Sequence, residues 1–307
     1  TLTDTLSPQV ENPAPGGLTA RKVGTSVVLS WWGAAGADSY TVKRAPAPDV
    51  PVTVLASDIK DPLTFTDTAP LPGANHYIVT GMRGGAPTPP SNIASLSMKP
   101  ALVAHYTFDA ASGSAARDEK GKNHGVLQRG ASSDQGKVGR AVSFDGKAGH
   151  VTLPVGIAAD LSDFTIAAWV RTDSEKTWAR LFDFGDDRGN YLFLSPRGGS
   201  GKPRFAVSTT YGYNEQFIDA GEALPKAQWA HLAVTLSGKT GTLYLNGTAV
   251  GTNPAIDFPP FQLGKTDRNW LGRSQFPNDP FFEGSIDDFR IYDGALTTEQ
   301  IAVLAGK

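Results

Sequence analysis

Three hundred and seven residues, 40% of them hydrophobic, are too many for one ordinary β domain and suit two, each able to bury a core of its own. Only 19% are charged, and 34 Gly and 22 Pro punctuate the chain, which excludes a disordered polymer, a coiled coil and a helical bundle. A net charge of −2, no apolar run near the ~18 residues of a bilayer span, and no Cys leave no nucleic-acid or membrane partner, no disulfide and no thiol chemistry to expect.

Pro8, Pro13 and Pro15, ahead of Gly16-Gly17, mark a linker over residues 1–14. The chain opens at Thr1 without an initiating Met or a secretion signal, and is expected to be a segment of a longer protein. Residues 15–98 then alternate at period two, in Val27, Leu29 and Trp31, in Tyr40 and Val42, and in Tyr77, Val79 and Gly81. Turn clusters at Gly33-Ala-Ala-Gly36, Asp61-Pro62, Pro70-Leu-Pro-Gly73 and Gly84-Gly85 separate about seven short strands, the pattern of a small sandwich. Residues 101–307 alternate as well, in Phe164, Ile166, Ala168 and Val170, in Leu232, Val234 and Leu236, and in Leu243 and Leu245. Asn246-Gly247 predicts a two-residue hairpin turn. One short helix is predicted over 297–304, capped by Thr297 or Thr298, with Ile301, Val303 and Leu304 as its apolar side.

The run Gly17-Leu-Thr-Ala20, Val28-Leu-Ser-Trp31, Ser39-Tyr-Thr-Val42, Leu71-Pro-Gly-Ala-Asn-His-Tyr77 and Pro90-Ser-Asn92 resembles a fibronectin type III domain. The resemblance implies an Ig-like sandwich with Trp31 at its centre and Tyr77 in a corner, and a spacer role without chemistry. Strand alternation turns Trp32 the other way.

Across 101–307 an ordered series carries a second resemblance. It runs through Leu102-Val-Ala-His-Tyr-Thr-Phe-Asp109, Asp118-Glu-Lys-Gly-Lys-Asn-His-Gly125, Gly139-Arg-Ala-Val-Ser-Phe-Asp-Gly146 and Phe164-Thr-Ile-Ala-Ala-Trp-Val170. It continues through Gln228-Trp-Ala-His-Leu-Ala-Val-Thr235, Leu243-Tyr-Leu-Asn-Gly247 and Gly284-Ser-Ile-Asp-Asp-Phe-Arg-Ile-Tyr292. This series resembles the laminin-G-like, concanavalin-A-like jelly-roll modules appended to bacterial carbohydrate-active enzymes. Arg180-Leu-Phe-Asp-Phe-Gly185 and Asn269-Trp-Leu-Gly-Arg273 resemble the branch found beside glycoside hydrolases acting on plant-type polysaccharides. The implied architecture is all-β: a small fibronectin III-like sandwich, then a larger two-sheet jelly roll with a short C-terminal helix, its first and last strands paired.

Catalysis is not expected within the segment. Retaining glycosidases hold two carboxylates about 5–5.5 Å apart, yet none of the seven Glu begins the E-x-D-x-x-E spacing of jelly-roll glucanases. The Gln-x-His strand of jelly-roll lyases is absent, and the five His fall in five separate elements. Carboxylates do gather where the domain's ends are expected to meet. Alternation puts Asp287 on the face of Phe289 and Ile291, toward the core, where a lone carboxylate is costly. Modules of the resembled family often carry one structural Ca²⁺ near their termini, and hard oxygen ligands suit it. Asp109, Asp118, Asn123 and Asp287 are the expected ligands, with Asp288 solvated and Asp287 capping loop amides as the alternative.

Sugar binding needs exposed aromatic planes and a few planar hydrogen-bonding side chains. Three places have that makeup: Trp178; the run 208–214 with Tyr211 and Tyr213; and the run 269–282 with Trp270, Arg273, Gln275, Asn278 and Asp279. The expectation is a monomeric, non-catalytic carbohydrate-binding segment of a secreted bacterial polysaccharide-degrading enzyme. Its partners would be an arabinose- or galactose-bearing polysaccharide or oligosaccharide and the catalytic domain of the same parent chain. An architectural module that positions that domain, and laminin-G-type surface adhesion, are the alternatives.

Overall fold

The period-two alternation becomes antiparallel strands nearly throughout. A computed structural model describes residues 13–110 and 113–307, so most of the linker expected over 1–14 lies outside the described residues. The chain divides into two units, Thr1–Lys99 and Pro100–Lys307.

Among the described residues, the first unit contains β1 (Gly16–Val23), β2 (Ser26–Trp32), β3 (Ser39–Ala45), β4 (Thr53–Ile59), β5 (Thr64–Asp67), β6 (Ala74–Arg83), β7 (Ala86–Pro90) and β8 (Ala94–Ser97). One sheet runs β1–β2–β5 and the other β4–β3–β6–β7, with β8 also on β6. Leu18, Val27, Leu29, Trp31, Tyr40, Val42, Tyr77 and Val79 fill the space between them. Trp31 is buried and Trp32 is 74% exposed, the two outcomes of one strand's alternation. The Tyr77 hydroxyl donates to Asp67 at 2.9 Å, and Arg44 closes on the same carboxylate at 2.6 Å.

The second unit contains β9 (Leu102–Tyr106), β10 (Ala115–Ala116), β11 (Gly125–Leu127), β12 (Ala131–Gln135), β13 (Arg140–Asp145), β14 (Val151–Leu153), β15 (Phe164–Thr172) and β16 (Phe182–Gly185). These are followed by β17 (Tyr191–Ser195), β18 (Arg204–Ser208), β19 (Gln216–Asp219), β20 (Trp229–Ser237), β21 (Thr240–Leu245), β22 (Thr248–Asn253), β23 (Arg268–Leu271), β24 (Glu283–Tyr292) and helix α1 (Thr298–Leu304). One sheet has the order β10–β11–β14–β23–β16–β17–β18–β19; the other runs β12–β13–β24–β15–β20–β21–β22, with β9 on β24. The first and last strands pair, Tyr106 opposite Phe289. The inner faces meet in one core built from residues such as Phe164, Ile166, Phe182, Phe184, Phe205, Leu271, Ile286 and Phe289.

Asn246 and Gly247 both take positive φ (48° and 79°), as the tight hairpin between β21 and β22 requires. Thr297 caps α1 in a reciprocal capping box with Gln300. The helix seals the outer face of the second sheet through Ile301 against Ala167, Ala233 and Tyr244. Val303, expected on its apolar side, is exposed instead.

Two irregularities of β24 shape the second sheet. Ala167 pairs with Arg290 but Trp169 with Asp287, so β24 carries one extra residue there, a bulge marked by φ +50° at Asp288. Gly284, at φ +144°, is paired on both sides, with Phe144 and Thr172, and a methyl group added there would overlap the Arg171 carbonyl oxygen. Gly284→Ala is expected to destabilise the second unit by about 3 kcal/mol or more. Urea unfolding of the full chain reads this, and a loss below about 1 kcal/mol would contradict the strand packing described.

Candidate functional site

On the sheet that contains β23 and β16, residues alternate between the core and the outer face. Leu271, Phe182, Leu194 and Phe205 point inward. Their neighbours Trp270, Asp183, Phe193, Ala206 and Phe217 lie in register as one transverse row on the outer face. Four strand spacings separate its ends, about 19 Å.

Arg180 organises the middle of this face. It is only 2% exposed, with its guanidinium 3.8 Å above the centre of the Phe193 ring. It pairs with Asp183 at 3.2 Å and with Asp279 at 2.9 Å. Asp279 also accepts from the Ser274 hydroxyl at 2.8 Å, and the Gln275 N–H donates to Asp183 at 3.0 Å. The Gln275 side chain donates to the Arg268 carbonyl at 2.7 Å. Gln275 and Asp279, expected as sugar contacts, are therefore corrected to anchors: they tie the loop 274–282 down onto the sheet. Phe276 of the same loop lies edge-on to Tyr191 at 5.6 Å.

Asp183 is fully buried, and its Oδ1 has no partner among the described residues. Burial pushes its carboxyl up to about 7, against the opposing pull of Arg180 and the Gln275 amide.

The remaining candidates form two groups at the sides of this anchor. In the first, the Arg273 guanidinium lies 4.3 Å from the centre of the Trp270 ring. The His150 ring is 6.3 Å from Trp270 and 6.1 Å from Phe281. All four side chains are half-buried, and Asn278 is exposed on the nearby loop. In the second group, Arg204 lies 3.9 Å over Phe217 and 5.5 Å from Trp178, and its fork grips Asp219 at 2.7 Å. Tyr211 and Tyr213 are 68% and 90% exposed in the turn between β18 and β19. Trp178 and Tyr211 hold left-handed backbone, φ 71° and 55°, which bulky residues adopt only where their surroundings force it. Sequence reasoning missed His150, Arg204 and Phe217, and left Phe281 unassigned. His150 reaches Trp270 because β14 pairs with β23, a contact between distant segments that no local pattern announces.

The carboxylates at the domain's ends are arranged differently from expectation. Asp118 is buried, with both oxygens taken by backbone amides: those of His105 and Lys120 on one, those of Lys122 and Asn123 on the other. Burial alone would raise its carboxyl, but these four donors outweigh it and hold the group below the usual carboxylate range. The Asn123 side chain donates to the Val103 carbonyl at 3.1 Å. Asp118 is thus spent on backbone amides rather than disposed as a metal ligand.

The bulge at Asp288 reverses the predicted facing of Asp287. Ile286 and Phe289 point into the core, whereas Asp287 lies opposite Trp169 on the outer face, under the turn 136–139. Its Oδ2 accepts the Val138 amide at 2.9 Å, while its buried Oδ1 has no partner among the described residues. Burial raises this carboxyl to about 6. Asp109 reaches the same turn and accepts the Arg140 amide at 2.8 Å. Asp288 is not solvated but pairs with His105 at 2.5 Å and with Arg290 at 2.9 Å.

Among the described residues no three His, Asp or Glu side chains converge as metal ligands. Asp109 and Asp287 each accept an amide of one turn, and one buried oxygen of Asp287 lacks a donor among the described residues, the kind of atom a hard cation would satisfy; Asp118, with both oxygens taken by amides, does not fit. His231, beside Trp169 at 5.3 Å, is buried, which lowers its ring to about 4.

A family model described as the concanavalin A-like lectin/glucanases superfamily matches residues 145–302, just over half of the chain. The chain belongs to that superfamily. Pappalysin-1 of Mus musculus is 28% identical over 178 residues, 53% of this chain and 11% of that protein, so the chain spans about a tenth of this curated relative. Domain 4 of AbnA, a GH43 extracellular arabinanase from Geobacillus stearothermophilus solved in complex with arabinotriose, is 26% identical with a TM-score of 0.58. That match covers 67% of this chain and 99% of the arabinanase domain. An Fn3-like protein from Clostridium thermocellum is 36% identical over 28% of this chain and 92% of its own, with a TM-score of 0.26. The concanavalin A-like fold thus places the two aromatic groups and the Arg180 anchor on one face of one sheet.

Asp183 yields a pH test. Its carboxyl is raised in the fold above the ordinary value near 3.9, so unfolding releases a proton between about pH 4 and pH 7, and stability from this group falls as pH rises through that window. Asp183→Asn removes the titration. The variant is expected to gain on the wild type as pH rises from 4 to 7, read from urea unfolding at each pH. A difference between the two proteins that does not change with pH would contradict the buried, raised carboxyl.

Proposed function

We propose that this chain is the non-catalytic, carbohydrate-binding accessory segment of a secreted bacterial polysaccharide-degrading enzyme. In this reading its second unit takes arabinose-bearing oligosaccharides on the outer face of the sheet holding β23 and β16. The observation that carries the reading is the likeness of nearly the whole second unit to an arabinanase domain solved with arabinotriose. The Trp270 group supports it chemically: Trp270 and Phe281 offer ring faces to sugar C–H groups, and Arg273 and His150 offer donors to hydroxyls. The non-catalytic part is supported on the same face by burial: Asp183 is closed off from any substrate, and Asp279 is held by Arg180 and Ser274. The first unit, a two-sheet sandwich with Trp31 and Tyr77 buried, is read as a fibronectin III-like spacer. The catalytic domain of the parent chain is its partner in this reading.

Isothermal calorimetry of the full chain with arabinotriose is expected to give a Kd between about 10 µM and 1 mM, or roughly −7 to −4 kcal/mol. Trp270→Ala and Arg273→Ala should each weaken binding at least tenfold while the melting temperature stays within a few degrees, since both side chains are half-exposed. Unchanged binding in both variants, or no binding by the wild type, would overturn the reading.

A structural Ca²⁺ belongs to the same proposal, held by Asp109, Asp287 and backbone carbonyls of the turn 136–139. Ca²⁺ at 100 times its Kd adds about 2.7 kcal/mol to a fold that alone binds it. Chelation should therefore lower the melting temperature of the wild type, and re-added Ca²⁺ should restore it. Asp287→Asn should abolish that response. A wild-type melting temperature indifferent to both treatments would remove calcium from the account.

A further inference from the structure

Where β10 and β11 at the end of one sheet stand beside β12 and β13 at the end of the other, the second unit holds a cleft of about 340 Å³. That is the size range of sites for small organic ligands. Its apolar lining comes from Phe108, Leu127 and Val142. Its polar lining includes Arg117 and Arg129, and no acidic side chain is among the described residues that border it. Both arginines are exposed, and neither guanidinium reaches a carboxylate within ion-pair distance among the described residues.

A chain with a net charge of −2 thus presents, at one concave place, two cations that no acid of its own neutralises. Elsewhere in the unit Arg180, Arg204 and Arg290 each have a carboxylate partner, whereas Arg117 and Arg129 share this cleft without one among the described residues. The planar fork of Arg recognises carboxylates bidentately. The apolar lining suits the C–H face of a sugar ring rather than a bare inorganic anion. We propose that this cleft is a second carbohydrate site that takes an acidic sugar, its uronate carboxylate on Arg117 and Arg129 and its ring against Phe108, Leu127 and Val142. The site lies between the sheets and is separate from the outer face that carries Trp270.

The test is calorimetric titration of the full chain with glucuronate and galacturonate, beside glucose, galactose, acetate and inorganic phosphate. Both uronates, or one of them, are expected to bind in the millimolar range or tighter, weakening as salt is raised. The neutral sugars, acetate and phosphate are each expected to bind at least tenfold more weakly. The double variant Arg117→Ala/Arg129→Ala should lose uronate binding at least tenfold with an unchanged melting temperature, and Trp270→Ala should keep it. No uronate binding, equal binding of the neutral sugars, equal binding of acetate or phosphate, or full binding by the double variant would each overturn the proposal. Arabinotriose binding, which Trp270→Ala removes, reports on the other face and leaves this outcome independent of it.

Discussion

A guanidinium that is 2% exposed cannot sit against a sheet without full compensation, and Arg180 obtains it from two carboxylates and an aromatic face. That requirement orders the whole outer face. Asp183 must point outward from β16, Asp279 must fold back over the sheet, and Ser274 and Gln275 must turn to brace them. The loop 274–282 is thereby fixed, and with it Phe276 over Tyr191 and Phe281 beside His150. The aromatic groups at either side stay half-buried or exposed while the centre is sealed. A face whose side chains are already fixed by buried charge would lose less freedom on taking a ligand, which reduces the ordering cost of binding.

The opposite sheet is governed by one extra residue. The bulge at Asp288 lets Ile286, Phe289 and Ile291 all reach the core, while Asp287 and Asp288 both face outward into separate polar settings. Without it, strict alternation would bury the Asp287 carboxylate among the aromatic rings of the core, at a cost no neighbour there could offset. The same bulge delivers Asp287 to the turn that Asp109 also reaches.

The sequence made legible whatever depends on local period and turn chemistry. The opposed fates of Trp31 and Trp32, the Asn246-Gly247 hairpin and the Thr297 cap all follow from nearest neighbours along the chain. What escaped depends on contacts between distant segments or on a break in period. Asp287 was assigned to the wrong face because alternation counts residues and a bulge adds one. Gln275 and Asp279 looked like sugar ligands because the planar groups that hold hydroxyls also hold a buried arginine, and only the fold brings Arg180 to them. His150 looked isolated because β14 meets β23 only in three dimensions. Asp118 looked like a metal ligand because a carboxylate that gathers four backbone amides has the same spelling as one that gathers a cation.

The central claim is that the Arg180-anchored face of the sheet holding β23 and β16 is where this concanavalin A-like unit meets its sugar. Amide hydrogen exchange of the full chain, with and without saturating arabinotriose, tests it most directly. The account predicts slowed exchange concentrated in residues 268–282 and 148–152, with the strands of the opposite sheet unchanged. Protection confined to that opposite sheet, or to the first unit, would contradict it.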